Sequence, residues 1–225
     1  RTARRARRRG RGVSAPGRPK REHRSALPRL TTPRLALREF TAADFDDLYR
    51  LDSDPRVVRF VGRGLPATRD ETAAALARIR NYGRIYIGLG FFRAARRDDG
   101  AFIGWACLKY TPPTCDVEVG YRLLHAAWGH GYATELALAL VRYGFDTLTL
   151  DRIIGVTHPD NLASQRVLMK AGLADAGRGR YYGKRLRLFQ ATRTVWLADA
   201  ANRPPASPSA SRRAAPATRR PPPRR

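Results

Sequence analysis

The chain has 225 residues and a formal net charge of +25, with two cysteines, Cys107 and Cys115. Two cysteines cannot build a disulfide framework, the four histidines are scattered rather than grouped as metal ligands, and no run of about eighteen apolar residues offers a membrane span. The charge is concentrated at the ends, with +11 in residues 1–29, +7 in residues 203–225 and +7 across the 173 residues between.

The Arg-rich ends lack apolar periodicity, and the second is made almost entirely of Pro, Ala, Ser and Arg. Both are expected to be disordered tails, with contact to RNA or another polyanion as their functional reading and a solvated Arg-rich background as the bland one. Residues 30–202 are long enough for one domain with its own core. The cysteine usage and the lack of a signal-peptide pattern predict a reduced, cytoplasmic protein with no membrane association.

In chain order, residues 34–40 alternate as a strand, and Thr41 is a candidate N-cap for a helix through about Leu51. A second helix is predicted over 68–80, where Thr68 and Glu71 form a capping-box pattern. Residues 86–92, 102–109 and 117–123 read as three strands of an antiparallel meander, joined by turn-forming stretches at 96–100 and 110–114. A glycine turn and an amphipathic helix follow, the helix carrying Ala133, Leu136, Ala137, Leu140 and Val141 at i, i+3, i+4, i+7 and i+8. Residues 153–157 give a short β-branched strand. Asn161 opens a helix with Ala163, Val167, Leu168 and Ala171 facing inward, closed by Gly172, and residues 186–197 supply the last strand or strands.

The glycine turn carries the chemistry. Trp128, Gly129, His130, Gly131, Tyr132, Ala133, Thr134 and Glu135 lie between a strand and a helix, so unpaired backbone N–H groups and the positive end of the helix dipole meet a turn with little side-chain bulk. That suits a phosphate. The three-glycine dinucleotide pattern and the Lys-Ser or Lys-Thr of a nucleotide P-loop are both missing.

The stretch Glu118, Val119, Gly120, Tyr121, then Trp128 to Glu135, then Asp151, Arg152, Ile153, then Asn161 with Ser164, then Lys170, Ala171, Gly172, resembles the GNAT N-acetyltransferase superfamily. The order and spacing look most like the branch that acetylates the N-terminal alanine or serine of ribosomal proteins. Trp128, Gly131 and Ala133 fill the superfamily's Gln/Arg-x-x-Gly-x-Gly/Ala positions, and Trp in the first of them is typical of that branch. The resemblance spans about residues 32–196. It implies a mixed α/β domain, with a central, mostly antiparallel, twisted sheet flanked by helices and a coenzyme A cleft between splayed strands. It implies acetyl-coenzyme A as donor, without metal, and an amine acceptor such as a ribosomal-protein N-terminus. It also implies that the early helices shape the acceptor side.

On that resemblance Tyr121 and Leu123 contact the pantetheine arm, amides of Gly129, His130, Gly131, Tyr132, Ala133 and Thr134 hold the pyrophosphate, and Asn161 and Ser164 approach the pantetheine and the sulfur. Core packing is the competing reading for Tyr121 and Leu123, and helix capping for Asn161. Glu118 is the first candidate for the base that takes the amine's proton, against a plain salt bridge; His125 and Asp116 are the runners-up. Ser164 is the candidate for stabilising the leaving thiolate, with Tyr181 or Tyr182 as alternatives. Cys107 sits mid-strand in an apolar run and is expected in the core, so direct attack is favoured over a covalent enzyme intermediate. The acceptor alternative is a small-molecule amine, and the alternative of another class is an RNA- or polyanion-binding protein on a non-catalytic GNAT scaffold. The oligomeric state is not fixed by these residues.

Overall fold

A computed structural model describes residues 27–112 and 114–199. The expected tails therefore lie almost wholly outside the described residues, although Leu27, at the inner end of the first, is buried in the core.

One eight-stranded sheet organises the chain. Its strands are β1 (Leu30–Thr31), β2 (Leu35–Glu39), β3 (Gly90–Arg96), β4 (Phe102–Thr111), β5 (Asp116–Leu123), β6 (Arg152–Thr157), β7 (Ala174–Tyr181) and β8 (Lys184–Thr192), in the spatial order 1-2-3-4-5-6-8-7. All neighbours are antiparallel except β5 and β6. The helices are α1 (Phe45–Asp52), α2 (Pro55–Val58), α3 (Arg69–Ile85), α4 (Tyr132–Arg142), α5 (Leu162–Lys170) and α6 (Arg193–Ala198).

The two faces of the sheet are covered by different helices. Leu136, Ala137, Leu140 and Val141 of α4 are fully buried against Val117, Val119 and Ile153, and each large apolar side chain contributes about 1.5–3 kcal/mol by leaving water. On the other face Leu48, Leu51, Val57 and Leu76 from α1, α2 and α3 pack with Phe40, Phe102 and Trp105. Gly155 admits α5: a Cβ there would lie 2.5 Å from Leu168 Cδ2, so a side chain would force Leu168 of α5 to shift.

The expected capping box is present, with Thr68 Oγ1 accepting from Glu71 N at 3.2 Å and Glu71 Oε2 accepting from Thr68 N at 2.9 Å. Other boundaries differ. The helix expected over 68–80 continues to Ile85, and the strand expected over 86–92 starts at Gly90. The extra helical turn is held from outside, because Tyr82 OH accepts from Tyr110 N at 2.7 Å and Gly83 is buried. The end expected as strand over 186–197 turns into α6 after Thr192, where Trp196 drops into the core beside Phe145. Strand β7 has no counterpart in the sequence reading: Ala174, Asp175, Ala176, Gly177, Arg178, Gly179 lack apolar alternation, and pairing with β8 alone makes them a strand. Ala163, expected inward on α5, is exposed.

Asp44, in the 3-10 turn before α1, ties that turn to β2 and β3 through Arg38 and Arg93. It accepts from both terminal nitrogens of Arg38 at 2.7 and 2.6 Å, and from Thr41 N and Oγ1 at 2.7 and 2.9 Å. Burial alone would raise this carboxyl, but the bonds from Arg38 and Thr41 overcome it and hold it at about 2. Its contribution is therefore present above the unfolded value, near 4, and lost as pH falls toward 2. Asp44→Asn should lower urea-derived stability by about 1–2 kcal/mol at about pH 6, allowing for the solvent that reaches Arg38, and the difference from wild type should vanish near pH 2.

Candidate active site

Strands β5 and β6 pair in parallel only at Val117 with Ile153 and Glu118 with Ile154. Past that point β5 stays on β4 as far as Leu123, while β6 stays on β8 as far as Thr157. The sheet opens into a V, and a cleft of about 560 Å³ passes through it, lined by Glu118, Val119, Gly120 and Tyr121 on one wall and Val156, Thr157, His158, Asn161 and Ser164 on the other. Backbone groups on the exposed edge of β5 face this cleft as they would face another strand.

The glycine turn follows β5 through a short 3-10 turn, and its residues are not among those that line this cleft. Gly129 and Gly131 have φ of +80° and +78°, a left-handed conformation that costs an L side chain about 1–2 kcal/mol, and Gly131 caps α4. A Cβ at Gly129 would meet nothing within 4 Å, and one at Gly131 only Arg34 Nη2 at 3.5 Å, so the space beside the turn is open where the first amides of α4 have no intrahelical acceptor. The turn is braced from behind: Arg34 Nη1 donates to His130 O at 2.9 Å, and Glu135 accepts from Arg34 N and Nε at 2.9 and 2.7 Å and from Thr32 Oγ1 at 2.5 Å. Trp128 Nε1 donates to Leu123 O at 3.0 Å, and His130 Nδ1 is 2.7 Å from Trp128 O. The His130 ring lies back against Trp128 O and Tyr132. Tyr132, Ala133 and Thr134 form the first turn of α4.

Halfway along, Tyr121 and Ser164 meet across the V. The Tyr121 hydroxyl donates to Ser164 O at 3.1 Å and lies 3.0 Å from Ser164 Oγ, so the serine hydroxyl can donate to the phenol oxygen. Burial pushes the Tyr121 phenol up, with the Ser164 bond opposing it weakly, and it stays a proton donor across the physiological range. Asn161 caps α5, its Oδ1 accepting from Ser164 N at 3.1 Å. Leu123, by contrast, packs into the core, and only its backbone borders the turn.

Glu118 stands where the two strands part. It is 7 % exposed, and its Oε2 accepts from Lys109 Nζ at 2.7 Å, from Thr111 Oγ1 at 2.7 Å and from Tyr182 OH. None of these bonds falls on Oε1, which lies toward Gly120. Burial, the largest effect on Lys109, lowers its pKa, but the Glu118 carboxylate outweighs it and the ammonium is held charged. Tyr182 is raised first by burial and then by the same carboxylate.

The alternatives separate. His125 is exposed beside Trp128, and Asp116 is tied to Arg152. Tyr181 is buried with Ile154 and Leu186, whereas Tyr182, at the β7–β8 tip, enters the cleft. Cys107 lines the cleft but is fully buried, and burial pushes its thiol up to about 12, so it holds no thiolate with which to attack. Lys109 and Thr111 escaped the sequence reading. Both sit opposite or next to Glu118 only through the β4–β5 register, Lys109 directly across from it.

A family model described as an acetyltransferase (GNAT) domain matches residues 34–174, the span that holds the glycine turn, β5, β6 and α5. The chain belongs to the GNAT acetyltransferase family. The acetyltransferase is 35% identical, over 163 residues, to the FsC-acetyl coenzyme A-N(2)-transacetylase of Aspergillus fumigatus, spanning 66% of this chain and 66% of that relative. Among solved structures, ribosomal-protein-S5-alanine acetyltransferase from Vibrio fischeri shares the fold at a TM-score of 0.60 and 16% identity, over 75% of this chain and 98% of that one. Aminoglycoside acetyltransferase AAC(6')-Ib, solved in complex with coenzyme A, shares it at a TM-score of 0.60 and 20% identity, over 73% and 98%. The family's acetyl donor is acetyl-coenzyme A. The left-handed glycines, the open α4 amides and the unpaired β5 edge fit such a donor, whose phosphates and amides need those groups.

Proposed function

We propose that this acetyltransferase moves acetyl from acetyl-coenzyme A to the α-amine of a protein N-terminus by direct attack. The observation that carries the reading is Glu118, a carboxylate lining the cleft, with one oxygen taken by three donors and the other, toward Gly120, receiving none of those bonds. A carboxylate is a weak base. It suits an α-amine with pKa near 7.7–8.0, whose deprotonation costs about 1 kcal/mol at pH 7, rather than a lysine, which costs about 4–5 kcal/mol.

In this mechanism residues 129–134 hold the donor's pyrophosphate with backbone amides, and Tyr121 with the edge of β5 holds its pantetheine arm. Glu118 Oε1 takes the amine's proton, directly or through one water, as the C–N bond forms. Tyr121 and Ser164 then face the sulfur, where the phenol, oriented by the serine, stabilises or protonates the thiolate as the C–S bond breaks. Asn161 sets the start of α5 so that Ser164 sits opposite Tyr121. The fold shared with the Vibrio fischeri enzyme supports a protein acceptor, and the Aspergillus fumigatus relative is named for transfer to an N(2) nitrogen.

Incubation with labelled acetyl-coenzyme A, cell extract and separated ribosomal proteins tests the acceptor. Label on a protein's N-terminal residue is expected, and label confined to a small metabolite would overturn the protein reading. Against an α-amine peptide, kcat/KM should rise with pH and level off near 8.

A further inference from the structure

The acceptor side of the cleft is lined by four cationic side chains, Arg63, Lys109, Arg122 and Lys184, and by one carboxylate, Glu118. Two of the cations are already neutralised deep in the site. Lys109 is paired with Glu118 at 2.7 Å, and Arg122 Nη1 with Asp52 Oδ1 at 2.5 Å. The other two stand on the rim. Arg63 is ion-paired with the exposed Glu71, itself committed to capping α3. Lys184 donates to the carbonyl oxygen of Gly62 and has no carboxylate partner among the described residues. That bond joins the β7–β8 tip to the segment after α2 and puts Lys184 and Arg63 on one stretch of rim.

The same tip carries Tyr182, which reaches down to Glu118. Tyr182 and Lys184 are two residues apart, at most about 7 Å along the chain, so the rim cations stand one side chain above the carboxylate. An amine placed at Glu118 therefore has its next one or two residues against Lys184 and Arg63. We infer that the acceptor is an α-amine with a carboxylate within one or two residues of it, such as a protein N-terminus with Asp or Glu at its second or third position. This rests on the α-amine reading above. The donor's phosphates do not account for the rim charge, because the glycine turn that suits them lies at the start of α4. That helix packs on the face of β5 that carries Val117 and Val119, whereas Glu118 and its cross-strand partner Lys109 lie on the opposite face. A polycationic acceptor would meet like charge at the rim and only one carboxylate, already engaged, within.

The test compares kcat/KM for three peptides that share an N-terminal serine and carry Asp-Glu, Ala-Ala or Lys-Lys at the next two positions, alongside free glutamate and free glutamine, at low and high salt. The acidic peptide should exceed the basic one by about threefold to tenfold, as two exposed ion pairs would give, and added salt should narrow the ratio. Arg63→Gln, a change at an exposed side chain, should narrow it at low salt. Equal kcat/KM for the three peptides, or preference for the basic one, would overturn the carboxylate assignment and leave the N-terminal reading intact. Transfer to free glutamate over glutamine with none to any peptide would retain the carboxylate assignment and overturn the N-terminal reading.

Discussion

Replacing Glu118 by Gln should lower kcat/KM for acetyl transfer by about 10²–10⁴-fold, the range expected when a general base is removed, while calorimetric affinity for acetyl-coenzyme A changes by less than about threefold. The substitution also has a structural cost. Lys109, mostly buried and held charged by Glu118, is left without its partner, and breaking a buried pair from one side costs about 3–5 kcal/mol. The double variant Lys109→Gln with Glu118→Gln removes both charges and should recover most of the lost melting temperature. It should remain as inactive as the single variant. Recovery of activity along with stability would reduce Glu118 to a structural ion pair.

Gly131→Val should weaken acetyl-coenzyme A binding by about 100-fold or more in calorimetry. Valine at φ +78° is strained, and its side chain would stand beside Arg34 at the turn proposed to hold the phosphates. Strain alone is controlled by Gly100→Ala, because Gly100 has φ +72° in the β3–β4 connection with nothing within 4 Å of its would-be Cβ. Both variants should lose about 1–2 kcal/mol of stability, and only Gly131→Val should lose the donor. Unchanged affinity in Gly131→Val would remove the glycine turn from the donor site.

These two residues mark how far the sequence could be read. The turn at 129–134 was legible because its chemistry is local: two glycines, a helix start and an amphipathic stripe all lie within one stretch of chain. Asn161 and Ser164 were legible for the same reason, and the cap they form, Oδ1 to Ser164 N, is local. Glu118 could be picked out on its strand, but its surroundings could not. Lys109 comes from the β4–β5 register and Tyr182 from a hairpin whose first strand carries no apolar pattern, so neither contact leaves a trace at neighbouring positions. The partnership of Tyr121 with Ser164 is likewise a tertiary event, made where β5 and α5 face each other across the V. The order of the central strands and helices followed from periodicity. The strand at 90–96 and the helix at 193–198 were displaced by side chains packing from elsewhere, Tyr82 onto Tyr110 and Trp196 onto Phe145.

The most direct measurement is a crystal structure of the acetyltransferase with coenzyme A and an N-acetylated peptide product. The pyrophosphate should lie on the amides of residues 129–134, and Glu118 should stand within hydrogen-bond reach of the peptide nitrogen, at about 2.6–3.2 Å or through one water, with Tyr121 and Ser164 against the sulfur. A peptide nitrogen out of reach of Glu118 and beside another titratable group, or phosphates seated away from the glycine turn, would contradict the account.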